Sequence, residues 1–299
     1  MTTPEPDSRP PASAAGEPLA IIAAGGAVPL EIATAAAAIG RQILVIGLEG
    51  VADQRLKAFP FEALKWGQLG RLEHLLAAHG TRDIVLIGAV DHRPDFSSIG
   101  LDFGTLKYLP RLIKAMAGGD DSVLSSLVKA LEEKGYRVVG AHEVAPALIA
   151  TAGLVAGPAP GRSEREDAML ALAAARSIGA LDIGQGAVAV GGRVVALEAA
   201  EGTDAMLDRV AALRENGRVR WKGRAGALAK RSKPQQDIRV DMPAIGPNTV
   251  ERVARAGLAG IAIEPGRVLI AERAETLRLA AETGTFIYAA ADEAVPDGA

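Results

Sequence analysis

A short charged stretch late in the chain has the residue types of a phosphate-transfer site. Asp237, Arg239 and Asp241 alternate with three apolar residues over 237–242. A period of two predicts a strand that buries its apolar side and presents two carboxylates and a guanidinium on the other. Two carboxylates can hold Mg²⁺, and a guanidinium can bind phosphate oxygens. The pattern therefore favours hydrolysis or transfer at a phosphate or diphosphate, although an ordinary half-exposed strand would also produce it.

Long side chains that donate hydrogen bonds precede this stretch, namely Lys230, Lys233, Gln235 and Gln236. Prolines flank it on both sides and restrict the backbone, which favours a site held in one shape. The lysines can bind phosphate oxygens as charge develops on them. One of the two Asp side chains could instead deprotonate a water molecule, a contribution of about 10²–10⁴ in rate.

A second polar stretch, Glu198–Asp204, joins a predicted strand to a predicted helix. Capping by Thr203 and the favourable position of Asp204 in the first helical turn explain part of it. Acids at 198 and 201 exceed what a cap requires, which favours a site. The shorter stretch Asp182–Gln185 ends on a Gly-rich turn and is weak evidence by itself.

Gly25 and Gly26 follow the first predicted strand, where nucleotide-binding proteins carry a phosphate loop. Glu49 has the position of the acid that binds an NAD ribose, but the third glycine of G-x-G-x-x-G is absent. Three interpretations stay open: a tight turn without a ligand, a phosphate or nucleotide contact, and NAD binding. His92, after the third predicted strand, is a minor candidate.

The elements that must position these residues indicate an α/β protein. Apolar runs at 19–24, 42–48, 83–89 and 136–140 alternate with helical patterns, including one at 105–116. Such runs predict a parallel sheet covered on both faces, and hence an N-terminal Rossmann-like domain. The second half predicts a hairpin around Gly191–Gly192, followed by strands at 260–263, 268–271 and 286–289 with helices between them. This pattern is typical of a mixed α/β domain.

Proline and glycine content sets the predicted boundaries of the domains. They are a disordered tail at 1–16, the Rossmann-like domain at 17–145, a linker at 146–161, a catalytic α/β domain at 162–291 and a tail at 292–299.

Composition narrows the classes of function further. The chain has 33 Lys and Arg against 36 Asp and Glu, a net charge of −3, so nucleic-acid binding has no global electrostatic support. It contains no Cys, which excludes thiolate chemistry and Cys-ligated metals. The longest charge-free run, 144–161, is interrupted by Pro and Gly and does not predict a transmembrane segment. The first residues lack the apolar core of a signal peptide, so a cytoplasmic protein is expected.

Several stretches together resemble the LpxI family of UDP-2,3-diacylglucosamine pyrophosphatases of lipid A biosynthesis. They are the seventeen residues Lys230–Gly246 (KRSKPQQDIRVDMPAIG), then Glu198–Met206 (EAAEGTDAM), Asp182–Gln185 and Ala23–Pro29 (AAGGAVP). The resemblance covers about residues 19 to 290, and its longest stretch is unusual enough to be specific.

The resemblance implies Mg²⁺-dependent hydrolysis of UDP-2,3-diacylglucosamine to UMP and 2,3-diacylglucosamine 1-phosphate. Asp237, Asp241 and Lys233 would be catalytic, and the two Asp residues would also hold the metal. The residues that would bind substrate are Lys230, Arg239, Gln235, Gln236, Gly25, Gly26, Gln185, Glu201, Thr203 and Asp204. The partner would be a lipid-linked UDP-sugar presented at the cytoplasmic face of the inner membrane, with peripheral contact between protein and membrane. Oligomeric state is left open.

Two alternatives come from other classes. The first domain could serve an NAD(P)-dependent oxidoreductase, or the chain could be a non-catalytic sensor of nucleotide sugars. Saturable binding of NADH would favour the first, and binding of a UDP-sugar without turnover would favour the second.

Overall fold

A computed structural model describes residues 17–90, 102, 105 and 120–290 of the chain. The predicted tails 1–16 and 292–299, the candidate His92 and nearly all of the helix predicted at 105–116 lie outside these residues. The chain separates into two compact units, one formed by residues up to 114 with 126–139 and the other by 115–125 with 140–299. None of the described helices is long and apolar enough to cross a membrane.

The first unit is built on a parallel five-stranded sheet, as the apolar runs predict. Its strands are β1 (Leu19–Ala23), β2 (Ile43–Leu48), β3 (Phe61–Leu64), β4 (Asp83–Ile87) and β5 (Arg137–Val138). They are arranged in the order β3-β2-β1-β4-β5, and every pairing is parallel. The described helices here are α1 (Val28–Ala38), a 3₁₀ helix (Gln54–Ala58) and α2 (Leu69–His79), while α3 (Asp120–Glu132) crosses the unit boundary. Strand β3 is missed by the sequence analysis because its residues lack a continuous apolar run.

The second unit has eight described strands: β6 (Gly153–Ala156), β7 (Gly186–Val190), β8 (Arg193–Leu197), β9 (Ala227–Lys230), β10 (Ala244–Ile245), β11 (Gly260–Ile263), β12 (Leu269–Ile270) and β13 (Phe286–Ala289). They form a mixed six-stranded sheet in the order β6-β13-β11-β9-β7-β8 and a separate two-stranded pair, β10 and β12. Its helices are α4 (Ala141–Val144), a 3₁₀ helix (Pro146–Leu148), α5 (Arg162–Ala180), α6 (Gly202–Glu215), α7 (Pro247–Arg255) and α8 (Arg273–Thr283). Residues 146–161, predicted as a linker, thus include the edge strand β6.

The two faces of the six-stranded sheet bury side chains of different size. Alanines of β7, β9 and β11 pack with α5, whereas Val, Leu and Ile of the same strands enter the opposite core. Ala227 and Ala229 illustrate the alternation, with Leu228 between them on the other face. Small side chains let the long helix α5 lie close to the sheet. The C-terminal end of α5 is thereby placed near the charged loop of residues 231–243.

The strand predicted over 237–242 is wrong. Residues 231–243 form turns and irregular segments outside any strand, and the strand ends earlier, at Lys230. The backbone N–H groups of Val240 and Asp241 donate to the carbonyl of Asp237. The Asp237 carboxylate accepts the N–H of Arg239 at 3.1 Å, which closes an Asx turn. This local hydrogen bonding competes with strand pairing, so alternation of charged and apolar residues did not produce a strand.

A buried charge network anchors the first sheet at the start of β4. Asp83 is 1% exposed and accepts hydrogen bonds from Arg41 at 2.8 Å and from Arg137 at 2.8 and 2.7 Å.

Asp83→Asn should lower the free energy of unfolding by about 3–5 kcal/mol, because two guanidinium groups would lose their buried counter-charge. Urea unfolding checks this, with Glu62→Gln in the exposed pair with Arg71 as the control. Equal, small losses in both variants would contradict it.

Candidate active site

Several candidate site residues of the second unit lie at one edge of the six-stranded sheet, where its parallel strands have their carboxyl ends. Strands β9 and β11 run parallel and end at Lys230 and Ile263, with Glu264 directly after. Strand β7 pairs antiparallel with both β8 and β9, so β8 has the same direction as β9. Strand β8 ends just before Glu198. Gly186, the first residue of β7, pairs with Lys230, so Gln185 precedes the sheet at this same edge. Ligands of α/β sheets bind at the carboxyl ends of the strands, which makes this edge the candidate site.

Lys230 is a buried cation at this edge. Its side chain is 7% exposed, and Nζ lies 3.6 Å from Oε2 of Glu198, which is equally buried. Nζ also contacts Oγ1 of Thr203, and that hydroxyl donates to Glu198 Oε2 at 2.9 Å. Burial lowers the pKa of Lys230, while Glu198 and, from farther away, Asp204 and Asp241 oppose this change. The ammonium group is therefore held in a protein interior by a carboxylate and a hydroxyl.

Two glycines, Gly184 just before β7 and Gly186 at its start, leave room for Glu198. A Cβ atom at Gly186 would lie 2.3 Å from Oε2 of Glu198, and one at Gly184 would lie 2.2 Å from its carbonyl oxygen. A side chain at Gly184 would collide with backbone atoms, and one at Gly186 would force the Glu198 carboxylate to move, so the Gly-rich turn has a steric cause. Gln185 lies between them. Its carbonyl accepts the N–H of Arg231 at 3.0 Å, and its buried Oε1 has no hydrogen-bond partner in the described chain.

The Asp237 turn pairs a carboxylate with the guanidinium two residues later. Arg239 Nε lies 2.9 Å from Oδ1 of Asp237, and Nη2 lies 2.6 Å from Oδ2. Asp241 accepts a hydrogen bond from the side-chain amide of Gln236. The three charges that the sequence placed on one strand face are thus kept together by a turn. The side chains of Asp237 and Arg239 stay 28% and 21% exposed, which leaves them accessible to a ligand.

Lys233 and Gln235 connect this loop to the end of α5. Lys233 Nζ lies 2.7 Å from Oδ1 of Asp182, and the Gln235 side chain donates to the carbonyl of Gly179 at 3.2 Å. Gln236 accepts the Lys233 N–H at 3.0 Å through its side-chain oxygen. In this structure Gln235 and Gln236 hydrogen-bond to protein groups that shape the loop.

The polar residues at the start of α6 have different partners: Thr203 contacts Glu198 and Lys230, whereas Glu201 and Asp204 contact other residues. Thr203 is not the helix N-cap, since Glu201 has the cap position and the Thr203 hydroxyl binds Glu198 instead. Glu201 pairs with Arg209 at 2.8 Å on the helix surface, and its own backbone N–H and Arg209 lower its pKa. Asp204 accepts from Asn248 at 2.6 Å. Of the three predicted residues, only Thr203 contacts Lys230.

Two acids at this edge are absent from the residues predicted to bind substrate or metal, although the acid at 198 did favour a site in the sequence. Glu198 holds Lys230, and Glu264 binds Arg231 at 3.0 Å and the Ser232 hydroxyl at 2.9 Å. Each follows directly on the last residue of a strand. That position is readable from the sequence once the strands are known.

The glycine pair of the first unit has a structural explanation of its own. Gly25 and Ala89 exchange two backbone hydrogen bonds of 2.9 Å, so the Gly25 N–H is already used. A Cβ atom at Gly25 would lie 3.0 Å from the Ala89 carbonyl, and Gly26 has a φ of +86°. Both positions therefore favour glycine without a ligand. Glu49 lies 4.0 Å from Lys65. These contacts add nothing in favour of dinucleotide binding.

A metal ion bound by the described residues would need further ligands from water or substrate. Among the described residues, no group of three or more His, Asp or Glu is arranged to hold one. Mg²⁺ often binds through one or two carboxylates and completes its shell with water and substrate phosphates. Asp237 and Asp241, at the two ends of one turn, fit that requirement, because each carboxylate oxygen can accept more than one contact.

Comparison with known proteins adds independent findings. The model of the LpxI N-terminal domain matches residues 18–148, and the model of the LpxI C-terminal domain matches residues 151–288. A protein of Caulobacter vibrioides (strain ATCC 19089 / CIP 103742 / CB 15) named UDP-2,3-diacylglucosamine pyrophosphatase LpxI is 44% identical over 269 residues. The alignment covers 90% of this chain and 96% of that protein.

Proposed function

The chain belongs to the LpxI family, and we infer that it hydrolyses the diphosphate of UDP-2,3-diacylglucosamine in lipid A biosynthesis. Water adds to one phosphorus, the phosphoric anhydride P–O bond breaks, and the products are UMP and 2,3-diacylglucosamine 1-phosphate. The structural observation that supports this reaction is the sheet edge at which the buried Lys230 meets the loop carrying Asp237, Arg239 and Asp241.

The cations of this edge suit a diphosphate. Lys230 provides a fixed charge, and Lys233 and Arg239 lie in the loop that follows. Guanidinium and ammonium groups bind phosphate oxygens through charge-assisted hydrogen bonds, which strengthen as negative charge grows on those oxygens in the transition state. Asp182 and Asp237 neutralise two of these cations in the free protein, so a diphosphate would share or displace those contacts.

Asp237 and Asp241 are the proposed acids of the reaction. Either carboxylate can orient a water molecule or accept its proton as it attacks phosphorus. We also propose that both would hold Mg²⁺ together with diphosphate oxygens, and that the ion supplies charge neutralisation at the phosphates. Arg239 keeps the Asp237 carboxylate in one orientation through its two contacts.

The substrate sets the proposed location of the enzyme. UDP-2,3-diacylglucosamine carries two acyl chains, and such a molecule is held at a membrane surface. We propose that the protein acts in the cytoplasm and contacts the inner membrane peripherally, where this lipid is presented. The near-neutral net charge of −3 supports contact through the lipid substrate more than through a polybasic surface.

Purified protein should release UMP from UDP-2,3-diacylglucosamine in the presence of Mg²⁺, and excess EDTA should abolish the release. Chromatographic detection of UMP and of the lipid phosphate measures both products in equal amounts. UDP-N-acetylglucosamine, which has no acyl chains, is the matched control and should be a poor substrate. Absence of UMP would refute the proposed hydrolysis, whereas undiminished release in EDTA would refute only the role of the metal.

A further inference from the structure

Glu198 has contacts that an ordinary loop acid lacks, and we propose that it is a positioning residue, which holds Lys230 charged and aimed at the diphosphate. The proposal rests on the proposed function. Glu198 precedes α6. It does not contact the diphosphate itself but acts on it through Lys230.

The geometry around Lys230 comes from three separate segments. Glu198 follows β8, Thr203 lies in the first turn of α6, and Lys230 ends β9. Oε2 of Glu198 accepts the Thr203 hydroxyl at 2.9 Å and lies 3.6 Å from Lys230 Nζ. Glu198 and Lys230 side chains are each 7% exposed, so little water can replace either partner.

Steric features of the neighbouring strand fix Glu198 as well. The absence of side chains at Gly184 and Gly186 leaves space for its carbonyl and its carboxylate. Its N–H donates to the carbonyl of Gly186 at 2.9 Å. A residue clamped at both backbone and side chain has few rotamers, so it can hold an ammonium in one place at a low cost in entropy.

The negative charge of Glu198 helps to keep Lys230 protonated. An ammonium taken out of water tends to lose its proton, and burial lowers the pKa of Lys230 accordingly. The groups that oppose this are Glu198 in direct contact, Asp204 on α6 and Asp241 in the loop after β9. A neutral amine would bind the diphosphate poorly, so removal of the Glu198 charge should limit activity at higher pH.

The experiment is a comparison of pH profiles between wild type and Glu198→Gln, at constant Mg²⁺. The alkaline limb of kcat/KM should move to lower pH by about one to three units in the variant. Glu198→Asp keeps the negative charge, so its alkaline limb of kcat/KM should lie close to that of wild type. Glu215→Gln, at the exposed end of α6, is the control for removal of one negative charge and should keep the wild-type profile.

A direct titration of Lys230 completes the test. Protein labelled with ¹³C in lysine allows the Lys230 pKa to be followed by NMR, with Lys230→Met used to assign the signal. The pKa should be lower in Glu198→Gln than in wild type. An unchanged pKa, or an unchanged alkaline limb, would overturn the proposal. If Glu198→Gln does not fold, the wild-type titration decides, since a Lys230 that is neutral at about pH 7 also overturns it.

The two failures are distinguishable. A wild-type protein that releases no UMP would refute the proposed function. A wild-type protein that is active, with a Lys230 that titrates independently of Glu198, would refute only the positioning role.

Discussion

Replacing Asp237 by Asn is expected to lower kcat for UMP release by about 10²-fold or more. The amide is neutral, so it can neither accept a proton from water nor attract a metal ion as a carboxylate does. Its side-chain oxygen can still accept the N–H of Arg239 and keep the Asx turn, which the carboxylate closes at 3.1 Å. The loss should therefore appear in kcat without unfolding, as judged by circular dichroism.

The alanine variant separates chemistry from structure at this position. Asp237→Ala removes both the charge and the turn, so it should be at least as inactive as Asp237→Asn. If Asp237→Asn were nearly normal and only Asp237→Ala were inactive, the carboxylate would serve the turn alone. Asp208→Asn is the matched control because Asp208 is also an acid paired with arginines, Arg252 and Arg255, on the surface of α6 and α7.

Replacing Lys230 by Met is expected to reduce kcat/KM by about 10²–10³-fold, an effect of the size seen when a transition-state donor is removed. It should also lower the free energy of unfolding by about 3–5 kcal/mol, because Glu198 would be left buried without its counter-charge. UMP release and urea unfolding measure the two losses. Lys222→Met, at an exposed lysine, should change neither.

A double variant distinguishes the two losses at Lys230. Lys230→Met combined with Glu198→Gln leaves no uncompensated charge, so much of the lost stability should return. Activity should not return, because the cation is still absent. Recovery of activity together with stability would show that Lys230 serves the fold and not the diphosphate.

The sequence predicted the first sheet well because its signal is local. Continuous apolar runs bounded by turns are typical of buried parallel strands, and β1, β2 and β4 are found where these runs lie. The hairpin of β7 and β8 was equally readable, since Gly191 and Gly192 both have positive φ, as a two-residue turn of this kind requires. Both features depend on residues that are neighbours in the chain.

The charged loop shows where local signal fails. Alternation at 237–242 predicted a strand, while the real strand, β9, lies earlier and has the sequence Ala-Leu-Ala-Lys. Its four residues are buried because β7 and β11 pair with it in the sheet, α5 covers one face and the larger core packs against the other. Alanine and lysine have little strand propensity of their own, so the formation of this strand depends on tertiary packing.

By itself, the sequence determined the α/β class, the parallel first sheet and, through a long specific signature, the family, and it predicted the residue types of a diphosphate site. It could not decide which of those residues meet. Only the tertiary structure brought Glu198 and Thr203 to Lys230, 27 or more positions away, and turned Glu201 toward Arg209 instead. The physical reason is that side-chain identity and local hydrogen bonding are written along the chain, whereas desolvation and ion pairing depend on which strand ends share an edge of the sheet.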